Sequence, residues 1–150
     1  MHIQFHPYAV PLLASALFSG AAAAVTWRKQ QTHRASALAF SLSVFTFWSV
    51  CYALVWLHTD IDSQLFWLKV MYLGVLLTPF SFFFLVLYIT EYKHRITRLL
   101  MALLLAEPLV MLVIIWTNDS HHWFLRSSIH YMLGDYTYFH WVRGPAYWFN

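Results

Sequence analysis

Nine histidines, one cysteine and two charged side chains set within apolar stretches are the residues of this 150-residue chain whose types could do chemistry. His2, His6, His58, His121, His122, His130 and His140 lie toward one side of the apolar runs, and His33 and His94 toward the other. A transmembrane haem held by two axial imidazoles needs histidines deep in helices, and none lies there. Zinc needs three or four converging ligands, and the adjacent His121 and His122 point apart on most backbones. Imidazole titrates near pH 6.5, so an external histidine cluster could sense acidity, although hydrogen-bonded structure is the simpler role. No nucleophile has a base at a suitable spacing, no glycine-rich loop could cradle a phosphate, and His94-Arg95 lacks the surroundings of a phosphoacceptor. The expectation is therefore no catalytic residues, no metal and no cofactor.

Lys69 and Glu107 are the charged side chains inside apolar runs, where a charge costs several kcal/mol and marks function by default. Lys69 falls four residues past Leu65, about 6 Å below the surface at ~1.5 Å per residue, and can snorkel to the headgroups. Glu107 falls eleven residues before Asn118, roughly 16 Å deep by the same rise, too far to snorkel. Pro108 beside it removes a backbone donor and invites a kink. Glu107 is thus either a functional midplane group or a protonated structural one. Cys51 reads as packing, and as the lone cysteine it forms no internal disulfide.

The elements that must position these residues are four apolar segments, about 8–27, 35–57, 66–90 and 99–117. Each is near the ~20 residues needed to cross ~30 Å of hydrocarbon. The chain is 61% hydrophobic and 10% charged, far from the roughly 25% charge of a soluble domain. Backbone amides in lipid must be satisfied internally, so these segments are helices. Short connections make sequential helices antiparallel neighbours. Small residues, Gly20 with the alanines around it and Gly74, let such helices approach closely.

Six of the nine Lys and Arg residues fall in two gaps: Arg28, Lys29 and Arg34 in the first, Lys93, Arg95 and Arg98 in the third. Basic residues stay cytoplasmic during insertion, so the N-terminus is expected outside. The net charge of +3 serves headgroup anchoring rather than nucleic-acid binding. A signal peptide is disfavoured because residues 1–27 carry no Lys or Arg.

Residues 118–143 break the apolar pattern and are expected as an extracellular loop. Gly134-Asp135, flanked by β-branched and aromatic residues, is a two-residue turn signal for a β-hairpin, and Gly144-Pro145 ends it. Residues 144–150 are expected to open a fifth helix. The fold class expected is thus an all-α membrane protein: four antiparallel transmembrane helices, an extracellular β-hairpin after the fourth, and the start of a fifth. Four spans from an outer N-terminus leave Asn150 outside, an expectation of a chain with spans still to come.

Asn118-Asp119-Ser120-His121-His122-Trp123-Phe124 carries a resemblance, as do Phe66-Trp67-Leu68-Lys69 leading to Tyr72-Leu73-Gly74 and Pro79, and Gly144-Pro145-Ala146-Tyr147-Trp148. In order and spacing the chain resembles the N-terminal seven-transmembrane sensor region of bacterial histidine kinases. Met71 stands where that family often carries an acidic residue two positions after the lysine. The resemblance implies a non-catalytic signal-input module whose partners are the bilayer, a small-molecule or lipid-like ligand, and a cytoplasmic histidine kinase or diguanylate cyclase output. A homodimer is a candidate assembly. By position, Trp56, Tyr72, Trp116, Asn118 and His121 are the expected lining of an outer-mouth pocket under the hairpin, with Lys69, Glu107 and His122 as further candidate ligand contacts. The competing function is a piece of a transporter or channel with a midplane site at Glu107.

Overall fold

The computed structural model describes residues 4–29, 32–90, 97–133 and 136–149. The expected turn pair Gly134-Asp135, and Lys93, His94 and Arg95 of the third gap, lie outside the described residues, as does His2. Four long helices come first: α1 (Ala9–Arg28), α2 (His33–Leu57), α3 (Ile61–Ile89) and α4 (Arg98–Trp116). A single-turn helix α5 (Asn118–His121) follows, then strands β1 (Leu125–Leu133) and β2 (Tyr136–Arg143), and a 3-10 turn over Pro145–Phe149. All four long helices are long and apolar enough to cross a membrane.

Local chemistry sets the helix starts. Thr32 caps α2, its hydroxyl accepting from the amide of Ala35 at 3.3 Å. Asp60 caps α3, its carboxylate accepting from the amide of Ser63 at 3.2 Å, so α3 begins five residues before the apolar run that starts at Phe66. Such a cap satisfies one of the amides that the first helical turn leaves without an intrahelical partner. A hydrogen bond from the Ser63 side chain, seconded by the one from its amide, holds the Asp60 carboxyl below its ordinary range.

The chain divides into two units, Met1–Ala106 and Glu107–Asn150, the division falling within α4. In the first unit α2 packs against both α1 and α3. Residues early in one helix meet residues late in the next. On α1, the Ser19 hydroxyl lies 2.9 Å from Thr46 Oγ1, and Trp27 Nε1 donates to Ser43 Oγ at 3.3 Å. On α3, Ser81 meets Ser41 and Tyr88 meets His33. The buried positions of α1 are Ala9, Ala16 and Ala23, a stripe of small side chains turned inward, while Leu17 and Phe18 are 72% and 77% exposed. This is the inverse of a soluble helix. Lipid solvates the large apolar residues, and close backbone approach holds the interface.

On the α2–α3 seam Gly74 lies close against α2. A Cβ on Gly74 would stand 2.9 Å from the Cβ and 3.1 Å from the Cα of Trp48. One stretch further along, Ser41 Oγ donates to the carbonyls of Ala37 and of Ser81, both at 3.1 Å. Cys51 is 2% exposed, a packing residue of α2. Pro79 and Pro108 both lie inside continuous helices.

In the second unit β1 and β2 pair antiparallel, from Leu133↔Tyr136 to Leu125↔Arg143, with an irregularity at Arg126 that leaves one extra residue on β1. Such a bulge bends a strand and increases its twist.

Candidate functional site

Asn118 organises the loop after α4. Thr117 ends the helix with its amide bonded to the Val113 carbonyl at 2.9 Å, and α5 turns the chain back. The Asn118 side chain is buried and all its bonds go to backbone. Its Oδ1 accepts from the amides of Phe124 at 2.8 Å and Leu125 at 3.0 Å, and its Nδ2 donates to the Leu125 carbonyl at 3.0 Å. Only an amide can offer both donor and acceptor in that geometry. Phe124 lies in irregular backbone just before β1 and Leu125 opens that strand, so Asn118 pairs buried backbone groups at the strand's entry.

A second device locks the other end. The amide of Gly144 donates to the Phe124 carbonyl at 2.7 Å and that of Ala146 to the Trp123 carbonyl at 3.0 Å. A Cβ on Gly144 would collide with the Trp123 carbonyl oxygen, so glycine is required by close approach. Phe124, 1% exposed, fills the space beneath, with its ring 5.5 Å from that of Tyr147. Arg143 lies 4.5 Å over the Tyr147 ring and 5.6 Å from that of Trp148. A cation over an aromatic face is worth about 0.5–1 kcal/mol at an exposed site.

His122 has φ 54 and ψ 29, the left-handed region, with its amide bonded to the Asn118 carbonyl at 2.8 Å. A side chain there costs roughly 1 kcal/mol over glycine. His121 is half-buried and points elsewhere: Nδ1 accepts from the Trp123 amide at 3.0 Å, and Nε2 lies 3.1 Å from Thr117 Oγ1. The two adjacent imidazoles thus diverge, one bound into the turn and one exposed. Among the described residues no three His, Cys, Asp or Glu side chains gather as a metal site.

The expected contacts divide between the two units. In the second, Asn118, His121 and His122 share one turn, Trp116 is exposed just before it, and Glu107 is exposed on α4 next to buried Pro108. In the first, Trp56 packs against His6 and Tyr8, with ring centroids 4.9 and 5.3 Å away. Lys69 is half-buried and Tyr72 is buried one turn later on α3. Met71 beside it is buried as well.

The His6–Tyr8–Trp56 cluster escaped sequence reasoning. Trp56 is far from His6 and Tyr8 in the chain, and the backbone bond from the Gln4 amide to the Leu57 carbonyl, 2.9 Å, joins the two stretches. His6 is buried, its Nδ1 accepts from the Tyr8 amide at 3.2 Å, and burial pushes its pKa below 6.5. His58 is buried at the same end of α2. Its Nδ1 lies 2.7 Å from the Leu54 carbonyl, and its own carbonyl accepts from the Gln64 side chain. These histidines are hydrogen-bonded parts of the structure.

Four long apolar helices, together with a polar loop unit built on buried backbone bonds, define a multi-pass α-helical membrane domain. The chain belongs to the family described as the N-terminal 7TM region of histidine kinase, whose family model matches residues 11–150. No curated protein and no solved structure matches the chain. Membership makes this a membrane sensor-input region, and a region distinct from the catalytic domain of a histidine kinase.

Proposed function

We propose that this domain receives a small-molecule or lipid-like ligand on the outer side of the membrane and biases a cytoplasmic histidine kinase or diguanylate cyclase output through helix movement. The N-terminus is outside in this reading, because Arg28, Lys29 and Arg34 favour the cytoplasmic side. The observation that carries it is the strained and exposed His122. His122 ends α5 at φ 54, where glycine would be unstrained, and backbone strain of that sort clusters at functional sites. Exposed Trp116 and Trp123 in the same unit offer flat apolar surface for a ligand. Asn118 and His121 hold the backbone that presents them, and Glu107 is a further candidate contact on α4. Trp56, Lys69 and Tyr72 are candidates in the first unit. A ligand acts by binding one helix arrangement better than another.

The test uses the intact kinase in membrane vesicles, with phosphoryl transfer read against added hydrophobic extracts of the surrounding medium. His122→Gly relieves the strain, so the loop should be as stable as before or about 0.5–1 kcal/mol more so. The response, however, should fall at least ~10-fold, a loss of about 1.4 kcal/mol of coupling. An unchanged response with a stabilised loop defeats the reading. Phosphatase fusions test the orientation separately: activity is expected after Gly144 and none after Arg34.

A further inference from the structure

The turn that follows α4 is pinned to the end of that helix by side chains. Thr117 Oγ1 donates to the Val113 carbonyl at 2.6 Å and so accepts from His121 Nε2, 3.1 Å away. The other ring nitrogen of His121, Nδ1, accepts from the Trp123 amide at 3.0 Å. One imidazole thus ties Trp123 to the residue at which α4 stops. Asn118 ties the next two residues to the same place through its bonds to Phe124 and Leu125.

These bonds set a depth. The apolar span of the helix is Leu99–Trp116, so Trp116 marks the level at which hydrocarbon gives way to headgroups, and residues 117–125 are held close to it. Phe124 turns inward and is 1% exposed, whereas its neighbour Trp123 is 57% exposed and Trp116 is 46% exposed. An indole has a large apolar body and one N–H donor. The boundary between hydrocarbon and water suits both ends of it, and bulk water suits only the donor. Charge agrees with composition. Among the described residues after α4, Arg126 and Arg143 are basic and exposed and Asp119 is the one carboxylate, an excess suited to lipid phosphate. The bilayer is already the partner of α4, so this surface continues an interface that the helix begins. We infer that the turn after α4 is seated in the phospholipid headgroup layer, with Trp116 and Trp123 as its anchors and His121 as the residue that holds Trp123 at that depth.

The seat requires no ligand and no particular orientation, so it stands apart from the sensing role proposed above. The test uses the whole chain in phosphatidylcholine vesicles whose acyl chains carry bromine either close to the glycerol or close to the terminal methyl. Subtracting the fluorescence of Trp123→Phe from that of the unaltered chain isolates Trp123, and Trp116→Phe isolates Trp116 in the same way. Both signals should lose most of their intensity to the shallow bromine and keep it with the deep one. A Trp123 signal quenched by aqueous iodide and by neither lipid puts the indole in water and overturns the inference. A signal shielded from iodide and from both lipids means that protein covers the indole, and overturns it as well. His121→Ala cuts the bridge, so Trp123, isolated by the same subtraction in that background, should lose its lipid quenching while Trp116 keeps it. Quenching of Trp123 that survives His121→Ala overturns the part given to His121, as does loss of both signals together, which would mean general damage to the loop. The measurement on the unaltered chain decides the seat however His121→Ala behaves.

Discussion

The α2–α3 seam and the loop after α4 both bring two stretches of backbone into contact across a glycine, and they do so under opposite constraints. In the seam the backbone bonds are already made within each helix, so close approach needs only a missing Cβ, which Gly74 supplies against Trp48. In the loop the backbone is irregular and buried, so Gly144 alone is insufficient. Asn118 must supply two acceptor bonds and one donor bond. Lipid-facing architecture is therefore held by shape, and the loop unit by hydrogen-bond identity.

The largest expected effect breaks the loop side of this contrast. Asn118→Ala leaves the amides of Phe124 and Leu125 and the Leu125 carbonyl without their partner. Each buried orphan costs ~1–3 kcal/mol, so a loss on the order of 3–5 kcal/mol is expected for the loop unit. Hydrogen exchange at Phe124 and Leu125 reads it directly. Asn118→Asp keeps the acceptor and loses only the donor bond, and should retain protection at both amides. Equal damage from the two variants would mean that shape, and not donor and acceptor pattern, governs the loop.

The seam comes next. Gly74→Val places a branched Cβ where even a single carbon stands 2.9 Å from Trp48, and overpacking of this kind costs ~1–3 kcal/mol. Gly20→Ala sharpens the point, since its Cβ would meet the Thr46 side chain alone, the methyl at 3.3 Å and Oγ1 at 3.7 Å. It should change helix-pair stability by less than ~1 kcal/mol. Steric-trap or reversible unfolding measurements in bilayers compare the two, and a Gly20 effect equal to that of Gly74 would remove the distinction. Ser41→Ala loses the interhelical bond to Ser81 and should cost only ~0.6 kcal/mol, because donors unfolded in the membrane also find partners.

The two regions also differ in how much of them the sequence discloses. The four long helices follow from apolar length alone, which is insensitive to side-chain detail. The role of Gly74 was readable as small-residue packing, though not its partner Trp48. Asn118 and Gly144 were visible as family motifs, but their physical task was hidden: it rests on backbone groups six and seven residues away in an irregular loop, which no periodicity encodes. Within the residues expected as loop, Asn118–His121 forms the single turn α5, and Pro145–Phe149, at the expected opening of a helix, is a 3-10 turn.

The smallest expected effect concerns two histidines that repeat one local device, one in each unit. His6 accepts through Nδ1 from the amide of Tyr8, and His121 through Nδ1 from the amide of Trp123, each with the aromatic ring about 5 Å away. The device needs an unprotonated Nδ1, so it fails when the ring takes a second proton. His6 is buried, and burial lowers its pKa below 6.5. The folded state therefore binds the proton less readily than the unfolded chain, and stability rises with pH through that window. The His6 contribution is full above about pH 6.5 and is lost as pH falls through the lowered folded-state value. The hydrogen bond at stake is neutral, worth about 0.5–1.5 kcal/mol, and its loss should loosen residues 4–8 from the end of α2, whereas the bonds from the Phe124 and Leu125 amides to Asn118 Oδ1 involve no titrating group and should stay. Exchange of the Tyr8 amide, followed from pH 7.5 to 5 beside that of Phe124, separates them. Tyr8 should lose protection on acidification and Phe124 should keep it. If both amides lose protection together, hydrogen-bond identity is not what distinguishes the loop unit from the rest of the chain.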